Sequence, residues 1–141
     1  MRNLKLKQVL PVDKAETLQK VKETPGLHVM GDLYDCGCED RFLVDSELLT
    51  KHCLGLVEAA GLSAVGHYFH QFGGCGGVTG MIVLAESHMS IHTWPEKRYV
   101  TVDVYVCSYT QDNRPKARKL YRSLLGTFKP AHEAVHSVER L

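Results

Sequence analysis

A chain of 141 residues, 44% hydrophobic and 23% charged, has the size and composition of one compact folded domain. A formal net charge of +1 argues against charge-driven binding to nucleic acid or an anionic membrane surface. No apolar run approaches the roughly 20 residues that span a bilayer.

Arg2, Lys5 and Lys7 are scattered through Met1 to Val12 without the apolar core of a signal peptide. The five cysteines, Cys36, Cys38, Cys53, Cys75 and Cys107, are odd in number, which argues against a disulfide framework. The lack of both a spanning run and a signal peptide predicts a cytoplasmic protein, and the cysteines read as reduced thiols.

Lys14 to Lys22 suits a short helix, ended by the turn signal Pro25-Gly26, so residues 1–26 read as a leader attached to a domain spanning 27–141. Leu27 to Tyr34 reads as the first strand. Asp45 or Ser46 can cap a helix running to about Ala60, with Gly61 as its stop. Leu48, Leu49, Cys53, Leu56, Val57 and Ala60 share one face of that helix. Ser63 to Phe72 reads as a strand, Gly73 to Gly77 as a loop around Cys75, and Val78 to Ala85 as an apolar strand. Tyr99 to Cys107 alternates most clearly. Val100, Val102, Val104 and Val106 form a face for helix packing, and Tyr99, Thr101, Asp103, Tyr105 and Cys107 a face that can carry chemistry. Asp112 or Asn113 ahead of Pro115 opens a helix to about Leu125, with Gly126 near its end, and Ala131 to Val138 reads weakly as a last strand. This order predicts an α/β fold, a two-layer sandwich with a largely antiparallel sheet and helices on one face.

The chemistry concentrates in Leu84-Ala-Glu-Ser-His-Met-Ser-Ile-His-Thr-Trp-Pro-Glu96, which gathers two serines, two histidines and two carboxylates beside an apolar strand. A serine hydrolase would present its nucleophile in a G-x-S-x-G elbow, whereas Ser87 lies between Glu86 and His88. Ala85 to Glu96 resembles the self-processing motif of prokaryotic S-adenosylmethionine decarboxylases. Gly77-Val-Thr-Gly80 upstream and Val102-Asp-Val-Tyr-Val-Cys107 downstream stand at that family's distances, with weaker matches at Phe69-His70 and Tyr34-Asp35-Cys36. The resemblance runs from about Leu27 onward.

The resemblance implies a zymogen that cuts itself between Glu86 and Ser87. The Ser87 hydroxyl attacks the Glu86 carbonyl and the peptide becomes an ester. Elimination then leaves a dehydroalanine, which hydrolyses to a pyruvoyl group. That self-generated cofactor forms a Schiff base with the substrate amine and takes up the electrons released as carbon dioxide leaves. No metal or added cofactor is implied. His92 is expected to assist processing, Thr79 to support it with a hydroxyl, and Cys107 to donate a proton after decarboxylation. The backbone of Glu86 is expected to matter more than its carboxylate. Ser87 and His92 are five residues apart, about 16 Å on a regular strand and on opposite faces, so a direct role for His92 requires a bend or a second chain.

Substrate binding is assigned by resemblance to Tyr34, Asp35 and Phe72. Around them the chain departs from the family pattern: Cys36-Gly-Cys-Glu-Asp40 does not align cleanly, and Gly73-Gly-Cys-Gly-Gly77 is long and glycine-rich. The favoured substrate is S-adenosylmethionine, whose product feeds polyamine and spermidine synthesis. A basic amino acid, ornithine or arginine, is the runner-up, with Asp35, Glu39 or Asp40 as partner for its distal cation. The resemblance also implies a homodimer of processed protomers with active sites at or near the interface, and neither nucleic-acid nor membrane partners.

Plainer readings accompany these. Outside the motif, Ser87 would be an ordinary strand-start residue, His92 a hydrogen-bonded histidine and Cys107 a small buried hydrophobe. His88 reads as a polar strand residue and Trp94-Pro95 as a turn anchor. The glycine loop fits neither phosphate-cradling pattern. Cys36 and Cys38 with His67 and His70 form an alternative metal-binding set, although the C-x-C spacing is shorter than usual for zinc.

Overall fold

A computed structural model describes residues 24–141. The helix expected at Lys14 to Lys22 lies outside the described residues. The strands are β1 (Gly26–Cys36), β2 (Ala64–Gln71), β3 (Val78–Leu84), β4 (Ser87–Trp94), β5 (Tyr99–Val106) and β6 (Pro130–Arg140). The helices are the single turn α1 (Arg41–Val44), α2 (Ser46–Ala59) and α3 (Arg114–Phe128). One sheet in the order β2-β3-β4-β5-β1-β6 contains all six strands, and every neighbouring pair is antiparallel. The expected two-layer α/β architecture is therefore present, with a fully antiparallel sheet.

Period-two alternation decides which sheet face is covered. Val100, Val102, Val104 and Val106 of β5 are buried, as are Met89 and Ile91 of β4 and Leu27, Val29 and Leu33 of β1. Against them pack Leu49, Cys53 and Val57 of α2 and Leu120, Leu124 and Phe128 of α3. Gly31 lets α3 approach β1, because a Cβ there would lie 2.5 Å from the Tyr121 hydroxyl oxygen. Asp45 caps α2 as expected, accepting from the amides of Glu47 and Leu48. Burial raises the Cys53 thiol to about 12, so it behaves as a small hydrophobe.

Two boundaries differ from expectation. α3 passes through Gly126 to Phe128, because the fully buried Phe128 holds the last turn on the core. The left-handed residue ending the helix is Lys129, whose amide donates to the Leu125 carbonyl. β6 is longer than Ala131 to Val138 and pairs along nearly the whole of β1. Its alternation is obscured because polar residues anchor its helix-side face. Glu133 accepts from the Tyr121 hydroxyl at 2.8 Å, and Glu139 from Arg114 at 2.9 Å.

Among the described residues, the opposite sheet face carries no helix. It exposes Tyr68, Met81, Val83 and Val138 and leaves His88, His92 and Tyr105 partly accessible. Among the described residues no helix is long and apolar enough to cross a membrane.

Candidate active site

The Glu86–Ser87 peptide lies at the exit of a two-residue turn. Leu84 ends β3 and pairs with Ser87, which starts β4, leaving only Ala85 and Glu86 between them. Hairpins this tight favour Gly, Asn or Asp at positions with positive φ. This one has none, and the positive φ falls on Ser87 at 102°. A non-glycine residue in such a region stores about 1–3 kcal/mol that the surrounding structure must offset.

The surrounding structure is the segment after β5. The Cys107 amide donates to the Glu86 carbonyl at 3.3 Å, so the carbonyl that would be attacked already accepts a backbone hydrogen bond. The Glu86 carboxylate accepts from the Tyr109 amide at 3.2 Å, the Thr110 hydroxyl at 2.7 Å and the Asn113 side-chain amide at 2.7 Å. Sequence reasoning undervalued this carboxylate and read Asn113 only as a helix opening. Their partnership joins residues 27 positions apart, and only the fold brings them together.

A second cluster lies at the other end of β4. The pairing of Leu84 with Ser87 sets Thr79 opposite His92, and the Thr79 hydroxyl is 3.1 Å from His92 Nδ1. Both line a crevice of about 290 Å³ together with Phe72, Trp94 and Glu96. Buried Thr93 fixes this end of the sheet. Its hydroxyl accepts from the Val78 amide at 2.8 Å and donates to the Leu43 carbonyl of α1 at 2.7 Å. Gly77 is required here, because a Cβ would lie 2.0 Å from the Thr93 carbonyl oxygen. Tyr34 reaches this cluster through aromatic contacts. It stacks on Tyr99 at 5.1 Å, Tyr99 contacts Trp94 at 5.1 Å, and Trp94 lies 6.1 Å from His92. Asp35 follows at the end of β1 with a left-handed φ of 49°.

The expected site residues thus form two groups within one chain: Glu86, Ser87 and Cys107 at one end of β4 and β5, and Phe72, Thr79, His92 and Tyr34 at the other. The metal alternative fails on topology. Cys36 is on β1 and Cys38 just after it, His67 and His70 are on β2, and those strands stand four places apart, roughly 19 Å across the sheet. No cluster of three or more metal-ligating side chains occurs among the described residues. Instead, Arg98 donates to the carbonyl oxygens of Cys36 and Cys38 and to the Asp40 carboxylate. Burial, reinforced by Cys38, raises the Cys36 thiol to about 11.

The family model for S-adenosylmethionine decarboxylase matches residues 27–141. The chain belongs to the S-adenosylmethionine decarboxylase family. Its relatives include the S-adenosylmethionine decarboxylase proenzyme of Persephonella marina, 41% identical over 110 residues, covering 78% of this chain and 77% of that protein. The proenzyme of the same name from Archaeoglobus fulgidus is 36% identical over 105 residues, covering 74% and 88% respectively. The fold is similar to the crystal structure of the adenosylmethionine decarboxylase from Aquifex aeolicus, with a TM-score of 0.71 at 34% identity, covering 83% of this chain and 91% of that one.

The strain at Ser87 can be measured in full-length variants substituted at that residue. Ser87→Gly should melt at a higher temperature than Ser87→Ala, because glycine alone relieves a φ of 102°. An alanine variant as stable as the glycine variant would show that the turn stores no strain there.

Proposed function

We propose that this chain is a self-processing, pyruvoyl-dependent decarboxylase of S-adenosylmethionine, cut between Glu86 and Ser87. The observation that carries this reading is the Glu86–Ser87 turn, where a strained serine follows a carbonyl held by the Cys107 amide. The Cys107 N–H stabilises negative charge on the Glu86 oxygen as the Ser87 hydroxyl adds to the carbonyl. Conversion of the strained peptide to an ester relieves the constraint at Ser87.

The residues around position 87 suit a pyruvoyl group. The turn leaves Ser87 partly accessible, and Cys107 follows directly on the paired strand. Such a group supplies a ketone that accepts the electrons released as carbon dioxide departs. The Cys107 Sγ holds the proton delivered to the substrate carbon. Phe72 and Tyr34, with Asp35 nearby, orient the substrate in the crevice beside His92.

His92 acts across a homodimer. It is about 16 Å of strand from Ser87 in its own chain, at the far end of β4. A two-fold axis that stacks two uncovered sheet faces and reverses strand direction brings the Thr79–His92 pair of one protomer towards the β3–β4 turn of its partner. The exposed Tyr68, Met81, Val83 and Val138 supply apolar area for that contact. The hydrogen bond at Nδ1 orients the ring and leaves Nε2 to move protons during processing. The partner is a second copy rather than nucleic acid or membrane, and the protein acts in the cytoplasm.

The basic amino acid reading is weaker in this geometry. Of its three candidate carboxylates, Glu39 already faces Arg41 at 3.1 Å and Asp40 faces Arg98 at 2.7 Å, which leaves only Asp35 for a substrate cation.

Two outcomes follow. Carbon dioxide release from S-adenosylmethionine should exceed release from ornithine or arginine in parallel assays; release confined to a basic amino acid would mean that the crevice serves a different substrate. His92→Ala alone should remain uncut, and co-expression with Ser87→Ala should restore cutting of the His92→Ala chain. Failure to cut in the mixed dimer would place His92's action within its own protomer.

A further inference from the structure

Asn113 breaks a local rule. It stands at the N-terminal boundary of α3, where an asparagine side chain ordinarily accepts a hydrogen bond from the helix's first free amides. Its side chain makes no such bond. The nearby Asp112 carboxylate accepts from the Arg114 amide instead, and Pro115 has no amide to satisfy. Asn113 is only 1% exposed, and its Nδ2 donates both to Glu86 Oε2 at 2.7 Å and to the Cys107 carbonyl at 3.0 Å. Its Oδ1 is buried without a partner among the described residues. A buried acceptor left unmet is unfavourable, so the orientation that leaves it so must gain elsewhere. Rotating the amide would aim Oδ1 at two acceptor oxygens, and those oxygens therefore fix which way the group points.

We propose that Asn113 is the positioning residue for self-processing, holding the Glu86 carboxylate and the Cys107 carbonyl with one amide group. Resting on the self-processing reading above, this assigns a task to a residue outside the motif. Cys107 is gripped on both sides of its backbone: its amide meets the Glu86 carbonyl and its own carbonyl meets Asn113. The side chain and carbonyl of Glu86 are likewise tied to the 107–113 segment, so the scissile carbonyl and its hydrogen-bond donor move as one unit. Thr110 holds only the carboxylate, whereas Asn113 alone among the described side chains bridges it to Cys107. After cutting, the same contacts retain Glu86 as the new carboxy terminus beside Cys107. The charged groups around this amide are Glu86, the Asp112–Arg114 pair alongside it, and Lys116 across a small neighbouring crevice.

The test follows conversion of freshly purified full-length chain into two fragments by denaturing electrophoresis, with folding checked by thermal melting. Asn113→Ala should slow cutting about tenfold or more, the loss expected when hydrogen bonds to a charged group and to a backbone carbonyl disappear together. Thr110→Val should slow it less, since the Cys107 contact survives. Asn113→Asp keeps the shape but opposes two carboxylates. Its cutting rate relative to wild type should be lowest in alkaline buffer and rise in mildly acidic buffer, where a shared proton restores a donor. A purely structural role would leave that ratio flat with pH. Folded Asn113→Ala and Asn113→Asp variants that cut at the wild-type rate, a flat ratio, or Thr110→Val as slow as Asn113→Ala would each overturn the proposal. A wild-type chain that never cuts would instead overturn the self-processing reading beneath it.

Discussion

The hydrogen bond from the Cys107 amide to the Glu86 carbonyl joins the end of β5 to the turn between β3 and β4. Its position depends on sheet register: Ser87 pairs with both Leu84 and Val106, so the turn and the end of β5 must lie side by side. The valine face of β5, packed under α3, keeps that register from slipping, because a one-residue shift would turn four buried valines to the open face. The same pairing confines the β3–β4 turn to two residues and places the strain at Ser87. Core packing and the geometry of the candidate cut are thus one constraint.

The topology also accounts for how a cut chain can persist. Residues before Ser87 supply β1, β2 and β3, and those from Ser87 onward supply β4, β5 and β6. In the sheet these interleave, with β1 between β5 and β6 and β3 beside β4. Separating the fragments would break three strand ladders and open the shared core. A broken peptide at Glu86–Ser87 therefore costs little in tertiary structure, since the Glu86 side chain retains its own three donors.

Much of this fold was legible wherever one periodicity dominated. β5 alternates without exception, and α2 has both its cap residue and its apolar stripe. β6 was faint because Glu133 and Glu139 use polar anchors where apolar residues would normally mark the inner face. Gly126 misled because the next buried position, Phe128, outweighs one helix-weakening glycine. At the site, the motif singled out Ser87, His92 and Cys107 as candidates, and the two-residue turn sets Thr79 against His92. The Glu86–Asn113 contact was not legible. Asn113 carries a strong local meaning as a helix cap, and only tertiary structure diverts its side chain from that role.

Self-processing leaves its mark in the covalent state of the chain at position 87. Intact mass measurement of purified wild-type protein tests it most directly. The expected result is two species: residues 1–86, and a fragment starting at position 87 that is lighter by one ammonia than a serine-ended chain, as a pyruvoyl terminus requires. A single full-length mass that persists through prolonged incubation, or a second fragment retaining an ordinary amino-terminal serine, would contradict it.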